Sequence, residues 1–177
     1  MPTHDETSQI PDFAALRAEA LEPWLPHLHG NRFASVVALK GEPGIAESKG
    51  QPPFFGADSE ALERALVALD WGSNSWCGIA LDLPGRATLN HSDLRLLIET
   101  IDPLALLALD NKAIQALQEG YGTELLPRIP PPGTKTQLLG RTLVFIDGFE
   151  AALSSEEDKR RAWRELKAFR PKSFRIN

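Results

Sequence analysis

Residues 36–44 read Val-Val-Ala-Leu-Lys-Gly-Glu-Pro-Gly. The four apolar residues at the start of this stretch are typical of a strand that is buried on both faces of a parallel sheet. Glycine and proline then lead the chain into a loop, and open α/β sheets bind their ligands at loops in this position. The stretch therefore predicts a parallel α/β sheet with a ligand crevice that begins after residue 40.

Three further apolar runs complete a predicted set of four strands: 35–39, 76–81, 104–109 and 143–146. Apolar residues at helical spacing predict helices before, between and after these strands: 11–21, one capped by Ser59, one capped by Asn90 or Ser92, one capped by Asp110 or Asn111, and 156–169. Strands that alternate with helices form a parallel sheet covered on both faces. The expected fold is therefore α/β, a three-layer α/β/α sandwich around a short, four-stranded parallel sheet.

Composition indicates one globular domain. The chain has 177 residues, of which 42% are hydrophobic, and a net charge of −5. We expect residues 1–10 to be a disordered tail and residues 11–177 to form the single domain. No apolar run approaches the ~18 residues of a membrane helix, and no signal pattern opens the chain, so a cytoplasmic protein without membrane association is expected.

The sequence predicts no metal site and no cofactor. The single cysteine, Cys77, excludes a cysteine cluster within one chain and is predicted to be a buried structural thiol. No zinc-ligand spacing, phosphate-binding glycine fingerprint or Ser/His/Asp arrangement is present. The acidic net charge counts against strong nucleic-acid binding. The basic residues from Lys159 onward allow two interpretations, a solvated helix face or a local phosphate anchor.

The loop after the first strand supplies candidate site residues. Glu42 is interpreted either as a catalytic carboxylate that orients water or as a group that hydrogen-bonds nearby N–H groups. Phe54 is interpreted either as a ring that stacks on a base or as ordinary packing under the loop. Glu47, Gly41 and Gly44 join them as candidate ligand-binding residues, and the two glycines are also explained by a tight turn with close backbone approach.

The loops after the third and fourth strands reach the same edge, because right-handed crossovers place all strand-to-helix loops there. Asp110 and Asn111 are candidate ligand-binding residues, and both also fit helix caps. Lys112 is interpreted either as a small electrostatic cost at its helix start or as a cation for a phosphate. Asp147 is a candidate catalytic residue at the crevice edge, either a general base or a metal ligand, and its Asp-Gly pair also fits a cap or a simple turn.

Several of these segments resemble the uracil-DNA glycosylase superfamily. Gly41-Glu42-Pro43-Gly44, Glu47, Gly50 and Pro53-Phe54 are similar to its first motif, most closely that of the iron–sulfur bacterial and archaeal branch. The third strand and the segment from Ala152 to Lys167 also resemble their counterparts. The resemblance implies the strand order 2-1-3-4, a crevice between the first and third strands, and a base or nucleic acid as the bound partner.

The chain departs from that family where chemistry is concerned. The family's His-Pro-Ser motif is replaced by Asp147-Gly148-Phe149, and the asparagine that reads uracil is replaced by the apolar Ile79-Ala80-Leu81. The cluster cysteines are absent. An aspartate in place of the histidine would repel charge developing on the departing base, where one donor is worth about 2.7–4 kcal/mol.

Three functions therefore remain open. The first is a diverged glycosylase-like protein that binds a base or nucleotide without efficient uracil excision. The second is an active DNA glycosylase, a hydrolase of altered specificity that uses Glu42 to position water. The third is a protein-interaction module without catalysis. The sequence predicts neither the oligomeric state nor a role for the proline-rich residues 121–140.

Overall fold

The apolar runs form the middle of a six-stranded mixed sheet. The computed structural model describes residues 12–172, and its strands are β1 Leu28–Gly30, β2 Val36–Lys40, β3 Trp76–Ala80, β4 Ala105–Ala108, β5 Thr136–Leu138 and β6 Arg141–Phe145. Their order across the sheet is β1-β3-β2-β4-β6-β5. The α/β class is thus confirmed. The four predicted strands are parallel neighbours in the order β3-β2-β4-β6.

The prediction that the sheet has only four strands and is purely parallel was wrong. Two further strands pair antiparallel at the edges, β1 with β3 and β5 with β6. Both edge strands have three residues and incompletely buried side chains. Such short, partly exposed segments lack the continuous apolar run by which a fully buried strand is recognised in sequence.

Seven α-helices are described between residues 12 and 172: α1 Phe13–Leu21, α2 Ile45–Ser48, α3 Ala57–Ala68, α4 His91–Ile101, α5 Asn111–Tyr121, α6 Phe149–Ala152 and α7 Glu156–Leu166. Asp12 caps α1, so this helix begins at Phe13. The predicted start at residue 11 and the predicted tail of residues 1–10 lie outside the described residues. The last predicted helix is α7 followed by a 3₁₀ turn, Lys167–Phe169.

Side-chain capping explains where α4 and α5 begin. Asn90 accepts the Asp93 N–H at the start of α4, and Asp110 accepts the Ala113 N–H at the start of α5. The prediction that Ser59 caps α3 was wrong, because α3 begins at Ala57, after the extended Gly56, three residues before the start that a Ser59 cap implies. The earlier start places Asp58 in the first turn of α3, where its side chain is buried.

Helices cover both faces of the sheet. Alternate residues of each central strand point to opposite faces, so Val37 and Leu39 join one apolar cluster with α4 and α5. Val36 and Ala38 join a second cluster with α3 and α7. The central strand β2 is buried along its whole length. Cys77, in β3, is buried as predicted, and burial raises the pKa of its thiol to about 12.

The parallel strands end at one edge of the sheet, where three loops meet. The chain leaves β2 toward β3 on one side, while β4 pairs with β2 on the other. The gap between the ends of β2 and β4 is therefore a topological switch point, the usual place of a binding crevice in open α/β sheets. Among the described residues, no helix has the length and apolar character needed to cross a bilayer.

Candidate functional site

A cavity of about 720 Å³ opens at this carboxyl edge. Its walls come from the segments that follow β2, β4 and β6: residues 42–45, 48–49, 109–110 and 148–151, with Lys40 and Ser154. We call it the carboxyl-edge cavity. Pro43, Ile45, Leu109 and Phe149 make much of the wall apolar. Apolar walls with a few polar groups are typical of small-molecule sites, which commonly enclose about 300–1,000 Å³.

A buried lysine, Lys40, lies at the back of the carboxyl-edge cavity with three carboxylates around it. Lys40, the last residue of β2, donates from Nζ to Glu47 Oε1 at 2.9 Å, to Glu150 Oε2 at 2.9 Å and to an Asp58 oxygen. The Lys40 side chain is only 4% exposed. These four residues are the Lys40 cluster, and they join β2, α2, α3 and α6 through one ammonium group.

Charge pairing inside the Lys40 cluster outweighs the cost of burial. Burial disfavours the charged lysine, but hydrogen bonds to Asp58, Glu150 and Glu47 together raise the pKa of Lys40 above its ordinary value. Burial likewise favours a neutral Glu47, yet hydrogen bonds from Lys40 and from the Phe54 N–H lower the pKa of Glu47. Both groups are therefore charged at neutral pH.

Two of the predicted ligand-binding residues, Glu47 and Phe54, lie under the loop rather than in the cavity wall. Glu47 accepts the N–H groups of Gly44 at 3.0 Å and Phe54 at 2.7 Å, in addition to Lys40. The Phe54 ring is 1% exposed and packs against Trp76 and His29. Lys40 Nζ lies 4.8 Å from the Phe54 ring centre. This geometry fits the packing interpretation of Phe54 better than base stacking.

Asp110 connects the loop after β2 to the start of α5. Its Oδ1 accepts the Ala113 N–H at 2.8 Å, and its Oδ2 accepts the N–H groups of Gly41 at 2.9 Å and Glu42 at 3.1 Å. The contact is close, because a Cβ on Gly41 would stand 2.5 Å from Asp110 Oδ1. Asp110 therefore lines the cavity while its carboxylate is already occupied by the backbone.

Gly44 likewise allows a close approach, here between the loop after β2 and the Glu150 side chain. A Cβ at this position would lie 1.9 Å from Glu150 Oε2, so a larger residue would displace that carboxylate. Glu150 Oε1 also accepts the Ile45 N–H at 3.1 Å. The glycine thus lets the loop after β2 close against α6.

Glu42 is the candidate catalytic residue that does line the cavity. Its side chain is 65% exposed, and its nearest described cation is Lys112 Nζ, 3.8 Å from Oε1. Lys112 itself donates to Asp82 at the end of β3, and hydrogen bonding there raises the pKa of Lys112. Within residues 12–172 the Glu42 carboxylate accepts no hydrogen bond, which leaves it available to water or to a ligand.

Asp147 and Asn111 stand together outside the cavity wall. Asn111 Nδ2 donates to Asp147 Oδ1 at 3.0 Å. The Asp147 N–H donates to Glu165 at 3.1 Å, and Arg161 donates to the Asp147 carbonyl at 2.9 Å. The structure thus brings together Glu42, Gly44 and Asp110 in the cavity wall, and it separates Asp147 from them.

Two of the four basic residues of α7 pair with acids of the same helix. Lys159 lies 2.8 Å from Glu156, and Arg161 lies 3.0 Å from Glu165. These i,i+3 and i,i+4 pairs are typical of a solvated helix face. Among the described residues, no group of three or more histidine, cysteine or acidic side chains is arranged to hold a metal ion.

Sequence reasoning missed Lys40, Asp58 and Glu150. The predicted first strand ends at residue 39, whereas the structure shows Lys40 as the buried last residue of β2. Its partners lie 18 and 110 residues away in sequence, so no local spacing identifies them. A lysine directly after four apolar strand residues was the one available signal.

Comparisons with known proteins leave the site's geometry as the main guide to function. No protein-family model matches the chain, and no curated protein matches it. The chemistry open to the carboxyl-edge cavity therefore follows from its wall: apolar contact for a flat ring, and carboxylate oxygens that accept hydrogen bonds.

Proposed function

We propose that this chain is a diverged uracil-DNA glycosylase-like protein that binds a nucleobase or nucleotide in the carboxyl-edge cavity and does not excise uracil efficiently. In this proposal the fold is the three-layer sandwich of that superfamily, extended by the two antiparallel edge strands. The observation that carries the proposal is the position of the cavity, which lies at the switch point between β2 and β4.

The shape and lining of the cavity support a flat, partly apolar ligand. Pro43 and the exposed Ile45 offer apolar surface for a ring, while Leu109 and Phe149 contribute little exposed area. Three carboxylates and two lysines line the cavity, and Lys40 is fully engaged by the Lys40 cluster. A lining of this charge favours a base or nucleoside over a polyphosphate.

The surroundings of Asp147 support the absence of efficient uracil excision. The resemblance places a hydrogen-bond donor at this position, whereas Asp147 presents a carboxylate that is exposed and held by Asn111. A carboxylate cannot stabilise an anionic leaving group, and the loss of such a donor costs several kcal/mol of transition-state stabilisation.

Binding can be tested by titrating the protein with nucleobases, nucleosides and nucleoside monophosphates in a calorimeter. We expect at least one of them to bind with one-to-one stoichiometry. Ala151 is exposed and lines the cavity, so Ala151→Trp should fill it and weaken binding at least tenfold. Ala14→Trp, on the exposed face of α1, is the matched control and should bind normally. Absence of binding by every compound would refute the proposal.

One observation favours an active glycosylase as a second candidate: the Glu42 carboxylate lines the cavity and accepts no hydrogen bond from residues 12–172. Such a group can serve as a general base for water. The test is base release from single- and double-stranded oligonucleotides that contain uracil, hypoxanthine or xanthine, with excess protein. Release that Glu42→Ala abolishes would establish this candidate, and no release from any substrate would exclude it for these bases.

A further inference from the structure

At the back of the carboxyl-edge cavity, where Lys40 and Glu150 lie, the side chains offer hydrogen-bond acceptors and no free donor. Each of the three ammonium protons of Lys40 has a carboxylate partner, in Glu47, Asp58 and Glu150. The Ser154 hydroxyl donates to the Ala151 carbonyl at 2.8 Å. Lys49 and Ser48, the other donor side chains of the lining, are exposed to solvent. Lys40 therefore has no proton left for a ligand.

Glu150 is the acceptor at the back of the cavity that a ligand can meet. Its side chain is 28% exposed, and it is the one member of the Lys40 cluster besides Lys40 that lines the cavity. Each of its oxygens accepts one hydrogen bond, from Lys40 and from the Ile45 N–H. A carboxylate oxygen has two acceptor positions, so both retain capacity for another donor.

The negative charge behind this wall also favours a ligand that donates hydrogen bonds. The Lys40 cluster holds three carboxylates and one ammonium group, and two of those carboxylates, Glu47 and Asp58, are almost completely buried. The excess negative charge is little screened by water at this depth. A ligand edge that carries hydrogen-bond donors is therefore attracted, and an edge that carries only oxygen acceptors is repelled.

We infer that the carboxyl-edge cavity selects bases with an exocyclic amino group, and that Glu150 is the specificity-determining residue. This inference rests on the proposed function and names its ligand class. Cytosine and adenine each present an amino group that a carboxylate accepts well. Uracil and thymine present two carbonyl oxygens instead, one on each side of their single N–H. A carboxylate that reaches this N–H would stand close to those oxygens.

The test compares the affinities of cytidine, adenosine, uridine and thymidine for the unmodified protein by calorimetry. We expect cytidine and adenosine to bind at least tenfold more tightly than uridine and thymidine, since one well-placed hydrogen-bonding group discriminates to about this extent. Equal affinities, or tighter uridine binding, would overturn the inference and leave the proposed function standing. If none of the four binds, and no nucleobase or monophosphate does, the proposed function fails and this inference fails with it.

A variant then tests the role of Glu150. Glu150→Gln places a donor where only acceptors stood, so the ratio of cytidine to uridine affinity should fall at least fivefold. Glu99→Gln is the control, because Glu99 also pairs with a buried cation, Arg141, but does not line the cavity. In Glu99→Gln the ratio of cytidine to uridine affinity should be unchanged. An unchanged ratio in Glu150→Gln would remove Glu150 from the selection, and if that variant does not fold, the comparison of the four nucleosides still decides the inference.

Discussion

At the residue scale, Lys40 is the side chain that joins the elements of the site. It is the end of the central strand, and its ammonium group holds α2, α3 and α6 against that strand through Glu47, Asp58 and Glu150. A buried ion pair adds little net stability when complete, but removing one partner leaves unpaired charges in the interior. The arrangement of the loop after β2 therefore depends on one positive charge.

We expect Lys40→Met to destabilise the protein by about 3–5 kcal/mol, because three carboxylates lose their common partner. Urea unfolding at neutral pH measures this change. Lys112→Met is the matched control: Lys112 pairs with Asp82 in a more exposed setting, so its loss should cost no more than about 1 kcal/mol. Similar losses in the free energy of unfolding of the two variants would show that the Lys40 cluster stabilises the fold no more than an exposed ion pair does.

Stability should also fall in acid through Glu47. The pKa of Glu47 is lowered in the folded protein from its ordinary value of 4.5. The unfolded chain therefore binds a proton at a pH where the folded chain does not, so the stabilisation from Glu47 is present above about 4.5 and is lost as the pH falls through the folded pKa. Urea unfolding between pH 7 and pH 3 should give a shallower decline for Glu47→Gln than for the unmodified protein.

Other carboxylates also contribute to the acid response, so the difference between the two curves is the informative quantity. The pKa values of Asp82 and Glu99 are lowered too, by Lys112 with Thr88 and by Arg141 with Tyr121. These contributions are common to both proteins. Glu42→Gln, on the exposed loop, is the control and should follow the unmodified protein. Parallel curves for Glu47→Gln and the unmodified protein would contradict the assignment.

The site was only partly predictable from individual residues. Glu42, Gly44 and Asp110 were predicted and line the cavity. Glu47 and Phe54 were predicted from the same loop but face inward, because the loop covers β3 and buries the Phe54 ring against Trp76, the first residue of that strand. Whether a loop side chain faces the crevice or the core depends on tertiary packing, which residue type and spacing do not contain.

At the element scale, the start of α5 is coupled to the loop after β2 through Asp110. A helix cap alone is worth about 1 kcal/mol. Asp110 also accepts the N–H groups of Gly41 and Glu42, so its carboxylate stabilises two elements. The cavity wall and the helix therefore form or open together.

Asp110→Ala should cost about 2–3 kcal/mol, the sum of a lost cap and of two backbone N–H groups left without their partner. Asn90→Ala removes a cap whose side-chain hydrogen bonds stay within the first turn of α4, and it should cost only about 1 kcal/mol. Thermal unfolding of both variants provides the comparison. Equal shifts in Tm would mean that the contacts to Gly41 and Glu42 contribute nothing.

The strands differ in how well sequence predicts them. The parallel strands are buried on both faces, so their sequences are continuous apolar runs, as in residues 36–39 and Trp76–Ala80. The edge strands carry His29 and Gln137 at their centres and owe their extended form to pairing with β3 and β6. Pairing of this kind is a long-range effect, which a local pattern cannot show.

At the scale of the whole molecule, the sheet separates two apolar clusters that share the same strands. Phe169, which is completely buried, closes the second cluster beside Trp71, whose ring centre lies 5.3 Å away. Trp71 Nε1 also donates to the Phe169 carbonyl at 2.9 Å. The 3₁₀ turn after α7 is thus part of the core, and we expect the molecule to unfold as one unit.

Phe169→Ala should lower the free energy of unfolding by about 3–5 kcal/mol through the cavity it creates. Phe13→Ala, on the exposed face of α1, should change it by no more than about 0.5 kcal/mol. Tryptophan fluorescence and far-UV circular dichroism should report the same midpoint in each variant. Midpoints that separate in Phe169→Ala would show that the two faces of the sheet unfold independently.

The burial of Cys77 has a practical consequence. Its sulfur lies in β3, between β1 and the central strand, with no exposed surface. A thiol reagent can reach it only while the sheet is open, so the rate at which the native protein is labelled reports how often that opening occurs. The one thiol of the chain thus reports the opening of the sheet, and its labelling can be followed by mass spectrometry.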